Sequence, residues 1–244
     1  GGMQAVIKEI NPLLHSKETG VSGLTLSELA SIARNDNKDV IKSLNNPIFP
    51  EGGLAVLHGS LAPEGAIIKH SAASPNLINH TGRAIVFDNN DDLVKRINDD
   101  KLDIKPEDIL VLRNSGPKGA PGMPEWGFLP IPDKLLKAGT RDIVRISDAR
   151  MSGTAFGTVV VHTAPESALE TSPLAAVKTG DLVKLDVAKR SLDLLVEPSE
   201  IINRLKSGKF RKVPNGSGYT ELYKKHVLQA PQGCDFDFLR KTPV

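Results

Sequence analysis

The sequence predicts a mixed α/β fold: a β-barrel-like mixed sheet with peripheral helices, preceded by a short helical segment. Three observations lead there. About eight short runs rich in β-branched and aliphatic residues follow residue 48, most of them separated by Gly, Pro, Asn or Asp. Helical patterns are fewer and fall between only some of those runs. Regular βα alternation is absent, which argues against a doubly wound dinucleotide-binding sheet and against an eightfold βα barrel.

In chain order, Met3, Val6, Ile7 and Ile10 fall at helical spacing and Pro12 closes the run. Thr25-Leu26-Ser27-Glu28 sets a hydroxyl three residues before a Glu, the capping-box arrangement, and opens a second helix through Ala33. Two short amphipathic helices cannot bury both faces by themselves, so they are expected to pack on another domain. Strands are expected at 54–57, 66–69, 83–87, 109–112, 143–146, 158–162, 182–187 and 192–196. Helices are expected at 91–98 behind an Asn-Asn cap, then at 133–137, 199–206 and 220–228. The stretch 182–196, turning at Lys189-Arg190, reads as a hairpin, and 207–218 is linker-like. No repeat or low-complexity segment is evident.

A chain of 244 residues, 39% hydrophobic and 25% charged, is long enough for a sizeable core and has the composition of an ordinary globular protein. A net charge of +2 gives no electrostatic reason to expect nucleic acid or an acidic membrane as partner. The densest basic run, 204–212, starts at the end of an expected helix and reads as a solvated face or tail. With Cys234 as the single cysteine, neither an intrachain disulfide nor a cysteine-built iron–sulfur site can close within the chain. No apolar run approaches the roughly 18 residues of a membrane span, and a cytoplasmic location is expected.

Two loops carry the candidate chemistry. In Gly116-Pro117-Lys118-Gly119-Ala120-Pro121-Gly122-Met123-Pro124-Glu125-Trp126-Gly127, the glycines let backbone N–H groups converge on an anion, although the spacing is not that of a P-loop. Glu125 sits there on a stiffened backbone, as a metal ligand or a carboxylate of shifted pKa, or else as a solvent-facing acid beside a core Trp. After the run 143–146 comes Ser147-Asp148-Ala149-Arg150-Met151-Ser152-Gly153-Thr154. Ser152 is either a hydroxyl that handles a proton or a cap shared with Thr154. Its surroundings are not a nucleophile elbow, which weighs against acyl transfer. Six histidines are scattered without ligand spacing; His162 is placed to reach the same sheet end, or to be structural. The loop His58-Gly59-Ser60-Leu61-Ala62-Pro63-Glu64-Gly65 is either a third wall of the pocket or a hairpin connection.

These two motifs, with Asn114-Ser115 ahead of the first and His162-Thr163-Ala164-Pro165-Glu166 after the second, resemble in order and spacing the C-terminal part of the dihydroxy-acid and sugar-acid dehydratase family. The 58–65 loop with Lys69, and the closing Gly233-Cys234-Asp235-Phe236-Asp237-Phe238-Leu239, look more like the pentonate and hexonate branch than the branched-chain amino-acid branch. The resemblance implies a swivelling barrel domain (β/β/α) over 48–244, akin to the last domain of aconitases, with 1–47 as the helical tail of a missing N-terminal domain. It implies a hydro-lyase in which Ser152 is the proton-abstracting base, Glu125 a Mg²⁺ ligand, and Thr154, Arg150 and Lys118 substrate contacts. The iron–sulfur cluster, the other Mg²⁺ ligands and a modified lysine would belong to the N-terminal domain, Cys234 being most simply a tail residue. A homodimer or homotetramer acting on a small sugar acid is implied, and a fragment that is silent alone. A non-catalytic anion-binding or assembly module is the reading from another class.

Overall fold

A computed structural model describes residues 2–207 and 216–240. Lys209, Phe210, Arg211 and Lys212 of the basic run, and most of the linker-like stretch, lie outside the described residues. The chain divides into two compact units, one through Gly52 and one from Gly53 onward.

In the first unit, α1 (Gly2–Ile10) runs into a short 3₁₀ turn at Asn11–Leu13, and α2 (Leu26–Ile32) follows. The capping box is formed: Thr25 Oγ1 accepts the Glu28 N–H, and the Glu28 carboxylate accepts the Thr25 N–H at 2.7 Å. Ala5, Ala30 and Ala33 are buried, and Lys8 donates to the Ala33 carbonyl at 2.7 Å. Met3, Leu13 and Ile32 remain exposed.

The second unit holds eight strands: β1 (Ala55–Leu57), β2 (Gly65–Ile68), β3 (Asn79–Phe87), β4 (Ile109–Leu112), β5 (Val144–Ser147), β6 (Val159–Ala164), β7 (Leu182–Asp186) and β8 (Ser191–Leu194). They form one mixed sheet in the order β1-β2-β6-β5-β4-β3-β7-β8. Its two edges meet: His58 bridges Ser191, and the Ser60 hydroxyl both donates to the Leu194 carbonyl and accepts its N–H at 2.9 Å. The barrel is therefore nearly closed, which removes the exposed edges of an open sheet. The 58–65 loop is the β1–β2 hairpin connection and part of this seam. The β7–β8 hairpin turns at Arg190, which takes a positive φ of 56°.

β3, β4, β5 and β6 are mutually parallel neighbours. α3 (Asn90–Arg96) crosses between the first two and α4 (Asp133–Lys137) between the next two. Side chains alternate across these strands. Ala84, Val86, Ile109, Val111 and Ile146 face the barrel core, whereas Ile85, Phe87, Leu110 and Leu112 face α3 and α4 with Leu93, Ile97 and Leu135. Both faces being buried, β4 and the end of β3 read as unbroken apolar runs. α5 (Pro173–Ala176), α6 (Pro198–Lys206) and α7 (Gly218–His226) complete the unit.

One expectation is corrected within the basic run. Arg204 is not part of a solvated face: its side chain is 13% exposed and pairs with Asp181 and Glu200.

Candidate active site

Because β3 to β6 run parallel, the loops after β4, β5 and β6 leave from one end of the sheet, the end where open α/β sheets bind ligands. Both motif loops start there. Residues 148–158 have an added task. They join parallel neighbours β5 and β6, yet contain no helix to carry the crossing.

Buried ion pairing replaces that helix. Arg145, 1% exposed on β5, donates to Asp142, to the Leu129 carbonyl and to the Phe156 carbonyl. Asp142 accepts the Thr158 N–H and hydroxyl, the latter at 2.7 Å, and the Ser74 N–H. Burial works against the Asp142 charge, but Thr158, Ser74 and Arg145 outweigh it and hold its carboxyl below the usual range. Gly157 fits this crossing only as glycine, at φ +107° and with Arg145 Nη2 where a Cβ would lie 2.0 Å away.

The glycine–proline loop is organised by an anion, and that anion is the protein's own. Glu166, 1% exposed, accepts the Lys118 and Gly119 N–H groups at 2.9 and 2.8 Å. Gln229 clasps it from the C-terminal segment, donating to its carboxylate at 2.6 Å and accepting its N–H at 2.9 Å. Asp148, also buried, takes the Ser115 N–H at 2.9 Å, and the N–H and hydroxyl of Ser167. Burial pushes both carboxyls up, and for Glu166 the neighbouring Asp148 adds to it, against amide donors that favour the charged forms.

Arg150 zips the two loops together. Its backbone carbonyl accepts the Gly127 N–H at 2.9 Å, its Nε donates to the Met123 carbonyl, and its Nη1 lies 3.3 Å from Glu125 Oε1. Glu125 is half exposed, and its second carboxylate oxygen accepts no hydrogen bond among the described residues. The neighbouring Trp126 is 36% exposed and is not a core residue. Two residues beyond Arg150, the Ser152 hydroxyl lies 3.0 Å from Thr154 Oγ1 and near the Thr154 N–H. Lys69, at the end of β2, reaches across to donate to the Gly153 carbonyl at 2.6 Å. The Asp237 carboxyl is held low by His226 first and by the charge of Lys118 in lesser part.

His162 lies in β6, inside the expected strand 158–162, with φ 55°. Burial first, and the charge of Arg150 second, push its imidazole down, which keeps it neutral near pH 7. With Glu64, Gly65, Pro231 and Cys234 it lines a cavity of about 350 Å³. Cys234 is half-buried rather than a free tail, its Sγ 3.5 Å from Met123 Sδ. A larger cavity of about 560 Å³ lies by Asp88, Arg113, Thr179 and Arg204, with no residue of 116–127 or 147–154 in its lining. Its guanidiniums are paired, Arg113 with Asp88 and Arg204 with Asp181, so it offers an anion little.

Among the described residues no group of three or more His, Cys, Asp or Glu is arranged to hold a metal. Glu125 fits one ligand of a hard cation, an open carboxylate oxygen on a fixed backbone, while Mg²⁺ needs further oxygen ligands that these residues do not gather. Asp142, Arg145, Asp148 and Glu166, which shape the site, were not singled out from sequence as working residues. Asp148 and Glu166 stand in the quoted motifs, and an acid directly after an apolar strand was the available signal.

Residues 39–234 match a family model described as dihydroxy-acid/6-phosphogluconate dehydratase C-terminal. The chain is 46% identical over 243 residues to a 6-deoxy-6-sulfo-D-gluconate dehydratase of Pseudomonas putida, and 48% identical over 242 residues to an L-arabinonate dehydratase of Rhizobium leguminosarum bv. trifolii. It is 38% identical over 239 residues to a dihydroxy-acid dehydratase of Dehalococcoides mccartyi. These alignments cover 97–98% of the chain but 42% of each relative, so the chain spans less than half the length of the curated relatives it matches.

Proposed function

The chain belongs to the dihydroxy-acid/6-phosphogluconate dehydratase C-terminal family, and we propose that it is the C-terminal part of a hydro-lyase converting an aldonic acid, a pentonate or hexonate, to a 2-keto-3-deoxy acid. Identity of 46–48% to relatives named for sugar acids, against 38% to one named for dihydroxy acids, favours the sugar acid. The observation that carries the reading is the Arg150 zipper. It joins the loops that carry Glu125 and Ser152 at the carboxyl end of the parallel strands of the sheet.

A C2 proton beside a carboxylate is weakly acidic, so its removal needs a strong base and nearby positive charge. Ser152, as its alkoxide, takes the C2 proton and becomes the hydroxyl. The C–H electron pair forms the C2–C3 double bond, and the C3–oxygen bond breaks. The hydroxide leaves as water once protonated, and the enol tautomerises to the 2-keto acid. Thr154 Oγ1, 3.0 Å from Ser152 Oγ, is the hydroxyl that steadies the alkoxide. Arg150 and Lys118 meet the substrate's anionic end. A Mg²⁺ with Glu125 as one ligand, and an iron–sulfur cluster on cysteines outside this chain, would supply the charge that meets the developing enolate and the departing hydroxyl.

The rest of the metal sites and a homodimeric or homotetrameric assembly belong to the longer protein, in a cytoplasmic setting. The isolated chain is expected to show no turnover. The test is an anaerobic assay of the full-length protein against pentonates, hexonates and 2,3-dihydroxyisovalerate, reading 2-keto acid. Preferred turnover of an aldonate supports the reading; preference for dihydroxyisovalerate would move it to branched-chain amino-acid synthesis. Absence of turnover with the cluster intact would favour a non-catalytic module.

A further inference from the structure

We propose that Lys69 is a positioning residue for Ser152, its ammonium fixing the tip of the hydroxyl loop and supplying fixed positive charge beside the serine oxygen; this rests on Ser152 being the base. The crossing 148–158 has no helix, so its course depends on what grips it from outside. At its far end the Asp142–Arg145 pair holds Phe156 and Thr158, and the Ala72 carbonyl accepts the Gly157 N–H at 2.9 Å. At the tip, residues 151–155, one side chain from outside makes a hydrogen bond among the described residues: Lys69, on the Gly153 carbonyl at 2.6 Å. Lys69 and Ala72 flank one short stretch after β2. That stretch therefore contacts the crossing both at its tip and near its end.

The Gly153 carbonyl belongs to the residue after Ser152, so the ammonium is held on the same loop tip that carries the serine hydroxyl. A serine alkoxide is costly unless donors and cations lower its energy. Thr154 offers one donor and no charge. The other charged or titratable groups on and around the loop are buried Asp148 at its start, His70 beside Lys69, the Glu125–Arg150 pair, the buried Asp142–Arg145 pair and His162. Arg150 is already engaged by Glu125 and the Met123 carbonyl, and Arg145 by Asp142. Lys69 has no carboxylate within ion-pair distance among the described residues. Of the cations at this end of the sheet, it is the one whose side chain is bonded to the loop tip itself.

The test compares Lys69→Gln, Lys69→Arg and Ser152→Ala in the full-length, cluster-loaded protein, with thermal melting and cluster absorbance as controls on folding. Gln keeps a donor for the Gly153 carbonyl and loses the charge; Arg keeps the charge. Expected for Lys69→Gln is a kcat about 10-fold to 100-fold lower with KM little changed. The rising limb of the kcat–pH profile should also move up by about one to two pH units. Lys69→Arg should keep the parental limb. A parental kcat in Lys69→Gln, or a lower kcat with the limb unmoved, would overturn the proposal. If Lys69→Gln does not fold, a shifted limb in Lys69→Arg overturns it and an unshifted one supports it. Parental turnover in Ser152→Ala would overturn the assignment of the base instead.

Discussion

At the scale of single residues, buried charges do the organising. Arg145 is a fully buried cation whose partner is Asp142, and removing one member of such a pair leaves an uncompensated charge. Asp142→Asn is expected to lower stability at pH 7 by about 3–5 kcal/mol. The sign of the pH dependence follows from the depressed carboxyl. Its stabilisation is fully present above the ordinary value of about 3.9 and is lost as pH falls through the lower folded value. Urea unfolding of the parent chain should therefore steepen in pH dependence below about pH 4, and the Asn variant should lack that component. Equal slopes would remove Asp142 from this role. Little of this was legible beforehand. Arg145 alternates with Val144 and Ile146 as a solvent-facing residue of a half-buried strand would, and only tertiary packing shows that both faces are covered. Gly119 was recognised among the glycines of an anion-binding backbone, but the anion, Glu166, lies 47 residues away. Spacing within one loop cannot reveal such a partner.

At the scale of elements, local signals found what local forces make. The Thr25–Glu28 capping box, the Asn89 cap of α3 and the β7–β8 turn formed where hydroxyl, amide and turn chemistry predicted them. β3 begins at Asn79, earlier than its apolar run, because residues 79–83 pair with β7 and owe their strand form to that partner. α5 is a single turn, too short for any periodicity to mark. The parallel order of β3 to β6 was not readable either, since a buried apolar run looks alike in any pairing. The helix-free crossing makes its own prediction. Gly157→Ala, with Arg145 Nη2 2.0 Å from the new Cβ and φ at +107°, should destabilise by about 1–3 kcal/mol. Gly153→Ala on the same loop meets no atom within 4 Å and should stay within about 0.5 kcal/mol of the parent. Urea midpoints of the two variants read the difference, and similar midpoints would contradict the crossing as described.

At the scale of the whole molecule, the nearly closed barrel is a rigid support whose parallel strands deliver two chemically marked loops to one end. Arg150 joins them there, and the barrel seam at Ser60 and Leu194 lies on the β1–β2 connection and β8, which do not carry them. No helix among the described residues is long and apolar enough to cross a membrane. The family match and the shared geometry together support a hydroxyl and a carboxylate working as half of one site. The direct measurement is turnover of an aldonate by the full-length protein carrying Ser152→Ala, with cluster absorbance and melting temperature matched to the parent. A kcat reduced by about 100-fold or more is the expected result, and a kcat equal to the parent's would contradict the account.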